Sequence, residues 1–357
     1  LAENEIKVIA TDENDNTIAN EDANKVTIRQ ADVASAFPDE VNQADIFTGA
    51  ITLDYQSERN RLLVSGRNQI NVDEIYAIDL ATGKRTIAIS VEEDMCSRAE
   101  GLVVDPQTQH LFVFCNDYPT SILREYNLSD GQLVATYNFS EYQIYGVALD
   151  RNNGRNQLVL VVYLNESNAI YSDSATLITF DLDTMATSVL SKAGQQPYIL
   201  EAQHLAVDGD RYLVTTGGFS QDVTTHSVIA INAITGDSSI LSSNLVGTGE
   251  LFSSESSEGY MAALTGIALD SRNGQLLVNE VATSKLFAID KTTGKRIIFK
   301  DLSYVQLEKQ SLVAAQDIVI DESRSVAIMD EGQRTGVLLV DLETREKIIL
   351  SKSGNDF

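Results

Sequence analysis

Tryptophan is absent from these 357 residues, which hold four prolines, three histidines and two cysteines. No run of 18 apolar residues occurs, so no membrane-spanning helix can be drawn. With His110, His204, His226, Cys96 and Cys115 as the full supply of soft ligands, and no CxxC, a His/Cys zinc site is a poor reading. Positive charge is scarce: 26 Lys and Arg face 52 Asp and Glu, a formal net charge of -26. Phosphate binding needs basic residues gathered on one face, and no basic run exists, which excludes nucleic acid as a partner. The acidity reads first as a solubility device and second as an attraction for cations or a basic partner. A GxSxG elbow, an HExxH pair and a P-loop are also missing, and GTGE at 247–250 is a lone GxG in a Ser-rich stretch.

What is present is a repeat. LTGIALDSRNGQLLVNEVATSKLFAIDKTTGKRIIFKD, residues 264–301, reads as four short strands rich in Ile, Val, Leu and Phe, divided by Gly, Asn, Asp and Thr. Six copies can be aligned at intervals of about 45 to 60 residues. One column is an Asp ending the first strand: Asp54, Asp105, Asp150, Asp208, Asp270 and Asp321. A second is Asp79, Asn127, Asp181, Asn232, Asp290 and Asp341, ending the third strand. Turn chemistry accounts for both, because an Asp or Asn there bonds its own backbone and a following Gly supplies positive φ.

Four strands repeated six times predict an all-β fold, a six-bladed β-propeller of four-stranded antiparallel blades. The blades are expected over 45–90, 99–140, 144–192, 201–244, 264–301 and 315–352 within a single domain, 45–357. Residues 1–44 form an acidic N-terminal extension. Its Asp12, Asn14, Asn16 spacing echoes an EF-hand loop, but Thr17 and Ala23 stand where Gly and Glu are needed, so a solvated tail is the better reading. The segment 25–33 could add a strand to a blade edge, although the last repeat already has four. Insertions at 165–175, 217–227 and 242–263 gather on one face of the disc, the face where binding is expected.

The GIALD, LLVNE, KLFAID, TGK pattern resembles NHL and YncE-like repeats, and the count of six resembles the senescence-marker-protein-30, gluconolactonase and paraoxonase group. In that group the residue before the Gly opening each first strand supplies calcium ligands around the axis. The matching column is Gly49, Glu100, Tyr145, Gln203, Thr265 and Gln316. AEGLVVD at 99–105 is similar to the group's AEGPVxD, so the resemblance carries Glu100 over as a calcium ligand; Tyr145 and Thr265 depart from the pattern. The next column is Ala50, Gly101, Gly146, His204, Gly266 and Asp317, with small residues expected where strands crowd an axis.

Glu100, Tyr145, Gln203, Thr265 and Gln316 are therefore the expected ligand-binding set. His204 and Asp317 are the candidate acid/base pair, and Glu100 with Asp317 the candidate calcium ligands. Polar groups lining a wet channel are the competing reading. Two functions follow: an exported binding or interaction propeller presenting its loop face and axial mouth to a small molecule, glycan or protein, or a calcium-assisted lactonase or esterase. Hairpin pairing brings Cys96 and Cys115 to one end of the second blade, so a disulfide is expected, against the view of two reduced thiols. The chain opens at Leu1 without a Met, which reads as a trimmed, exported protein. Asn127, Asn138 and Asn165 are sequons that matter where the source glycosylates.

Overall fold

The computed structural model describes residues 52–67, 73–90, 99–117, 120–164, 175–191, 199, 202, 204–217, 226–253, 264–281, 283–306, 309–311, 315, 317–330 and 336–352. Within them the expected architecture is present. Six four-stranded antiparallel sheets follow one another, each with its strands in chain order from the axis outward. Blade 1 comprises Leu53–Gln56, Arg61–Arg67, Asp73–Asp79 and Arg85–Ser90; blade 2 Ala99–Asp105, His110–Asp117, Thr120–Asn127 and Leu133–Phe139. Blade 3 is Tyr142–Asp150, Gln157–Leu164, Thr176–Asp181 and Thr187–Ser191; blade 4 Leu205–Asp208, Arg211–Thr216, Ser227–Asn232 and Ser238–Ser243. Blade 5 is Leu264–Asp270, Gln275–Glu280, Lys285–Asp290 and Arg296–Asp301; blade 6 Ile318–Asp321, Val326–Asp330, Gly336–Asp341 and Lys347–Lys352.

The central strands are buried on both faces, which is why QLVLVVYL and RLLVSG read as near-continuous apolar runs. Alternate residues face opposite neighbours. Leu62 and Val64 pack toward blade 6 with Ile328 and Val337, while Leu63 packs toward blade 2 with Leu111 and Val113. Each seam of the ring thus has its own apolar cluster, and each innermost strand touches the next, blade 6 touching blade 1. Among the described residues, closure joins two complete blades, with no strand shared between them. Beside the cluster of Leu53, Tyr76, Ile328 and Leu350, the Arg85 Nε donates to Ser351 Oγ at 2.6 Å and the Thr52 hydroxyl to Asp317 Oδ2 at 2.9 Å.

The third-strand column does what turn chemistry requires. Asp79 accepts from the N–H of Thr82 at 2.8 Å, Asn232 from Thr235 at 2.8 Å and Asp290 from Thr293 at 2.6 Å. The residue four places on has positive φ: Gly83 at 71° and Gly294 at 68°, but also Met185 at 57° and Arg345 at 61° where the repeat has lost its glycine.

The first-strand column needs one correction. Asp105 lies opposite His110, Asp150 opposite Gln157, Asp208 opposite Arg211, Asp270 opposite Gln275 and Asp321 opposite Val326. In blade 1 that place belongs to Gln56, opposite Arg61, whereas Asp54 pairs with Leu63. Asp54 therefore sits two residues nearer the far end of its strand, where the other blades carry Val103, Ala148, Ala206, Ala268 and Val319. The same shift moves Thr52, rather than Ala50, into register with His204 and Asp317; Gly49 and Ala50 lie outside the described residues. The N-terminal extension, 1–44, likewise lies outside the described residues, as do the insertions 165–174 and 218–225.

Candidate functional site

An innermost strand pairs on one side only, so its remaining backbone groups must find partners across the seams or along the axis. Side chains at one end of the ring supply them. Asp317 Oδ2 accepts the hydroxyl of Thr52 at 2.9 Å and the N–H of Leu53 at 3.0 Å, and Oδ1 accepts the N–H of Ile318 at 2.9 Å. Thr52 Oγ1 accepts from Leu102 N–H at 3.3 Å, joining blade 1 to blade 2. Across the other seams the Thr215 hydroxyl donates to the Thr265 carbonyl at 3.0 Å, and the Thr265 hydroxyl to the Ala315 carbonyl at 2.9 Å. Gly266 shows why this column favours small residues: a Cβ there would come within 2.9 Å of the Asp317 backbone.

These strands enclose an axial cavity of about 410 Å³ to which all six blades contribute. Its lining mixes aliphatic residues, Leu102, Val147, Leu205 and Ile267 among them, with polar ones, and the repeat register puts Thr52, Glu100, Tyr145, His204 and Asp317 toward one end. His204 Nε2 lies 4.0 Å from Asp317 Oδ1, and His204 Nδ1 is buried without a hydrogen-bond partner. Burial pushes the imidazole pKa down, opposed by the Asp317 charge, so the ring is held neutral. Glu100 is fixed by Asn116, whose Nδ2 donates to Glu100 Oε2 at 2.5 Å and to the Ile144 carbonyl at 2.7 Å. The Tyr145 ring meets Tyr163 edge to face at 5.0 Å, and its hydroxyl donates to Gln143 Oε1 at 3.2 Å.

Of the residues singled out in the sequence, Glu100, Tyr145, His204 and Asp317 are thus brought together. Thr265 is not: it is 4% exposed, its hydroxyl is committed to a seam, and it does not line the cavity. Gln203 and Gln316 lie outside the described residues. His110 opens the second strand of blade 2, its Nδ1 2.5 Å from Glu125 Oε1, and lies away from the cavity. His226 is fully buried against Gly217, where a Cβ would come within 2.3 Å of its ring.

One residue of the site escaped the sequence reading. Asp54 lines the cavity among aliphatic side chains, its Oδ1 accepting the N–H of Tyr55 and its Oδ2 that of Val104, each at 2.7 Å. Burial is the largest influence on it; the two N–H donors oppose, the Asp317 charge adds, and the pKa is raised from 3.8 to about 7. Aligning RLLV of blade 1 on QLLV of blade 5, instead of Asp on Asp, would have exposed it.

The donor set does not fit the calcium reading. Ca²⁺ takes six to eight oxygens. Here both oxygens of Asp54 and of Asp317 already accept backbone or hydroxyl hydrogens, and among the described residues no three of His, Cys, Asp and Glu stand close enough to hold a metal ion.

No protein-family model matches the sequence, and no curated protein matches it. Similarity appears at the level of solved structures, and it defines the class as a β-propeller. A chain of a nidogen/laminin complex superposes with a TM-score of 0.56 at 12% identity, covering 85% of this chain and 90% of that one. A structural-genomics protein of unknown function from Bacteroides thetaiotaomicron superposes with a TM-score of 0.55 at 16% identity, covering 80% and 68%. At such identities the likeness speaks for the fold alone.

Proposed function

We propose that this propeller is an exported binding module that takes a small ligand at its axial mouth. The observation that carries the reading is the cavity of about 410 Å³, lined by aliphatic and polar residues together, to which every blade contributes. A preformed recess in which polar groups converge beside apolar surface is the usual form of a small-molecule site. The rigid seams favour it too, because a ligand entering a preformed ring spends little of its binding energy on ordering the protein. Calcium-assisted ester or lactone hydrolysis is the weaker reading, because the carboxylate oxygens that would hold the metal are already engaged.

The test is to fill the cavity. Ala148 lines it, and Ala148→Leu intrudes on the space without adding charge. In a ligand-observed NMR screen of sugars, amines and short-chain acids, wild type should bind at least one class and Ala148→Leu should lose it. Equal binding by both proteins would move the site away from the axis.

Export goes with pairing of Cys96 and Cys115. Cys115 is fully buried opposite Ala99, while Cys96 lies outside the described residues. A bond between them would close a short loop and stabilise the fold by about 3 kcal/mol on the chain-entropy account. Mass spectrometry after alkylation of the unreduced, denatured protein should find no labelled thiol; two labelled cysteines would count against both pairing and export.

A further inference from the structure

We propose that the axial cavity is a site for a small organic ammonium ion, its charge offset by the carboxyls of Asp54, Glu100 and Asp317 that line the cavity and its alkyl body lying beside the aliphatic residues of the lining. This rests on the reading of the mouth as a ligand site and names the ligand's chemistry.

Charge balance makes the first case. The titratable groups facing the cavity are Asp54 and Tyr55 of blade 1, Glu100 of blade 2, Tyr145 of blade 3, His204 of blade 4, and Asp317 and Glu322 of blade 6. Blade 5 contributes Ile267, Ala268 and Leu269, and no Lys or Arg lines the space among the described residues. Carboxyls crowded into a low-dielectric recess repel one another and are relieved by a cation, whereas an anion would meet uncompensated negative charge.

Shape separates an organic cation from a metal ion. A bare divalent ion needs six or more oxygens gathered around it, which the described residues do not offer, whereas an ammonium needs only one lone pair for each of its N–H groups. The aliphatic part of the lining then has a use, since it can bury the alkyl part of the ligand.

His204 is the independent observation. Its Nδ1 is buried without a hydrogen-bond partner in a ring that borders the cavity. An unmet polar atom of that kind calls for a partner. With the imidazole neutral and its proton on the nitrogen nearer Asp317, Nδ1 offers a lone pair to an N–H of the ligand. No covalent change is involved; as the ammonium enters, the proton of a neutral Asp54 carboxyl leaves to solvent, and the bound state gains an ion pair.

The experiment is calorimetric titration of the full chain with n-butylammonium, and with 1-butanol and butyrate as neutral and anionic isosteres, at pH 8 and pH 6. Butylammonium should bind at least about tenfold more tightly than either isostere, and its affinity should fall up to about tenfold from pH 8 to pH 6 as Asp54 takes up its proton. Asp54→Asn should weaken binding at pH 8 and remove the pH dependence. If that variant folds poorly, Glu100→Gln should weaken butylammonium without changing the pH dependence. Wild-type affinity in both variants, or failure of butylammonium to bind wild type, overturns the proposal. Tight binding of butanol or butyrate that Ala148→Leu abolishes would overturn the ammonium assignment and leave the mouth a ligand site.

Discussion

Four strand-end aspartates and Asp54 share the innermost strands and are held in opposite electrostatic states. At the strand ends, Asp105, Asp150, Asp208 and Asp321 are all buried or nearly so, and burial alone would raise their pKa values. Donors outweigh it and hold them below the usual carboxylate range: for Asp150 the Tyr212 hydroxyl at 2.6 Å, the Asn152 N–H at 2.9 Å and Arg155 at 2.5 Å. Two residues along the same strand position, Asp54 has two backbone N–H donors and no cation, and burial carries it up to about 7. The residue type is the same; the number and charge of its donors decide the outcome. The strand-end set ties the blades together, and Asp54 keeps its proton to a higher pH at the axis.

Breaking the strand-end set should have the largest effect. Asp150→Ala strips acceptors from Arg155, Tyr212 and Asn152 in a fully buried site and should cost about 3 kcal/mol at pH 7, read from urea unfolding. The folded pKa of Asp150 lies below its unfolded value, so its contribution is present above about pH 4 and is lost as the pH falls; the variant should approach wild type in acid.

The axial carboxyl should behave in the reverse sense. Because the folded pKa of Asp54 is raised, its contribution is complete below 3.8 and is lost as the pH rises through about 7. Asp54→Asn should therefore match wild type below about pH 4, gain on it as the pH rises toward 7, and exceed it at pH 8 by about 2 kcal/mol, allowing for screening at the channel opening. His204 opposes this trend in wild type: its depressed pKa costs stability as the pH falls below 6.5. A stability curve for Asp54→Asn parallel to that of wild type from pH 5 to pH 8 would erase the contrast.

The smallest effect belongs to the turn face alone. Met185 is 47% exposed and holds φ 57° where other repeats have glycine, so Met185→Gly should stabilise by about 0.5 kcal/mol and leave the axis untouched. A loss of thermal stability in that variant would show the position to be held by side-chain contacts instead of limited by backbone strain.

The blade count, the strand order and the turn roles of Asp79, Asn232 and Asp290 were legible in the sequence, because period-two apolar runs and turn residues report on local backbone. Glu100, Tyr145, His204 and Asp317 were legible as a converging set for a related reason, since a repeat register places equal positions around one axis. Asp54 was hidden by that same logic: aligned by residue type, it passed for a turn aspartate, and register with Leu63 was needed to show it in the channel. Thr265 shares its repeat position with Glu100 and Tyr145 but does not line the cavity, because its short side chain is committed to the Ala315 carbonyl across a seam, which composition does not report.

The most direct measurement is a ¹³C-detected titration of the aspartate carboxyls, with Asp54→Asn and Asp150→Asn spectra assigning the two resonances. The account predicts a midpoint near 7 for Asp54 and one below 3.8 for Asp150 in the same folded protein. An ordinary midpoint near 4 for Asp54 would contradict it, and with it the claim that the axis holds a carboxyl waiting for a cation.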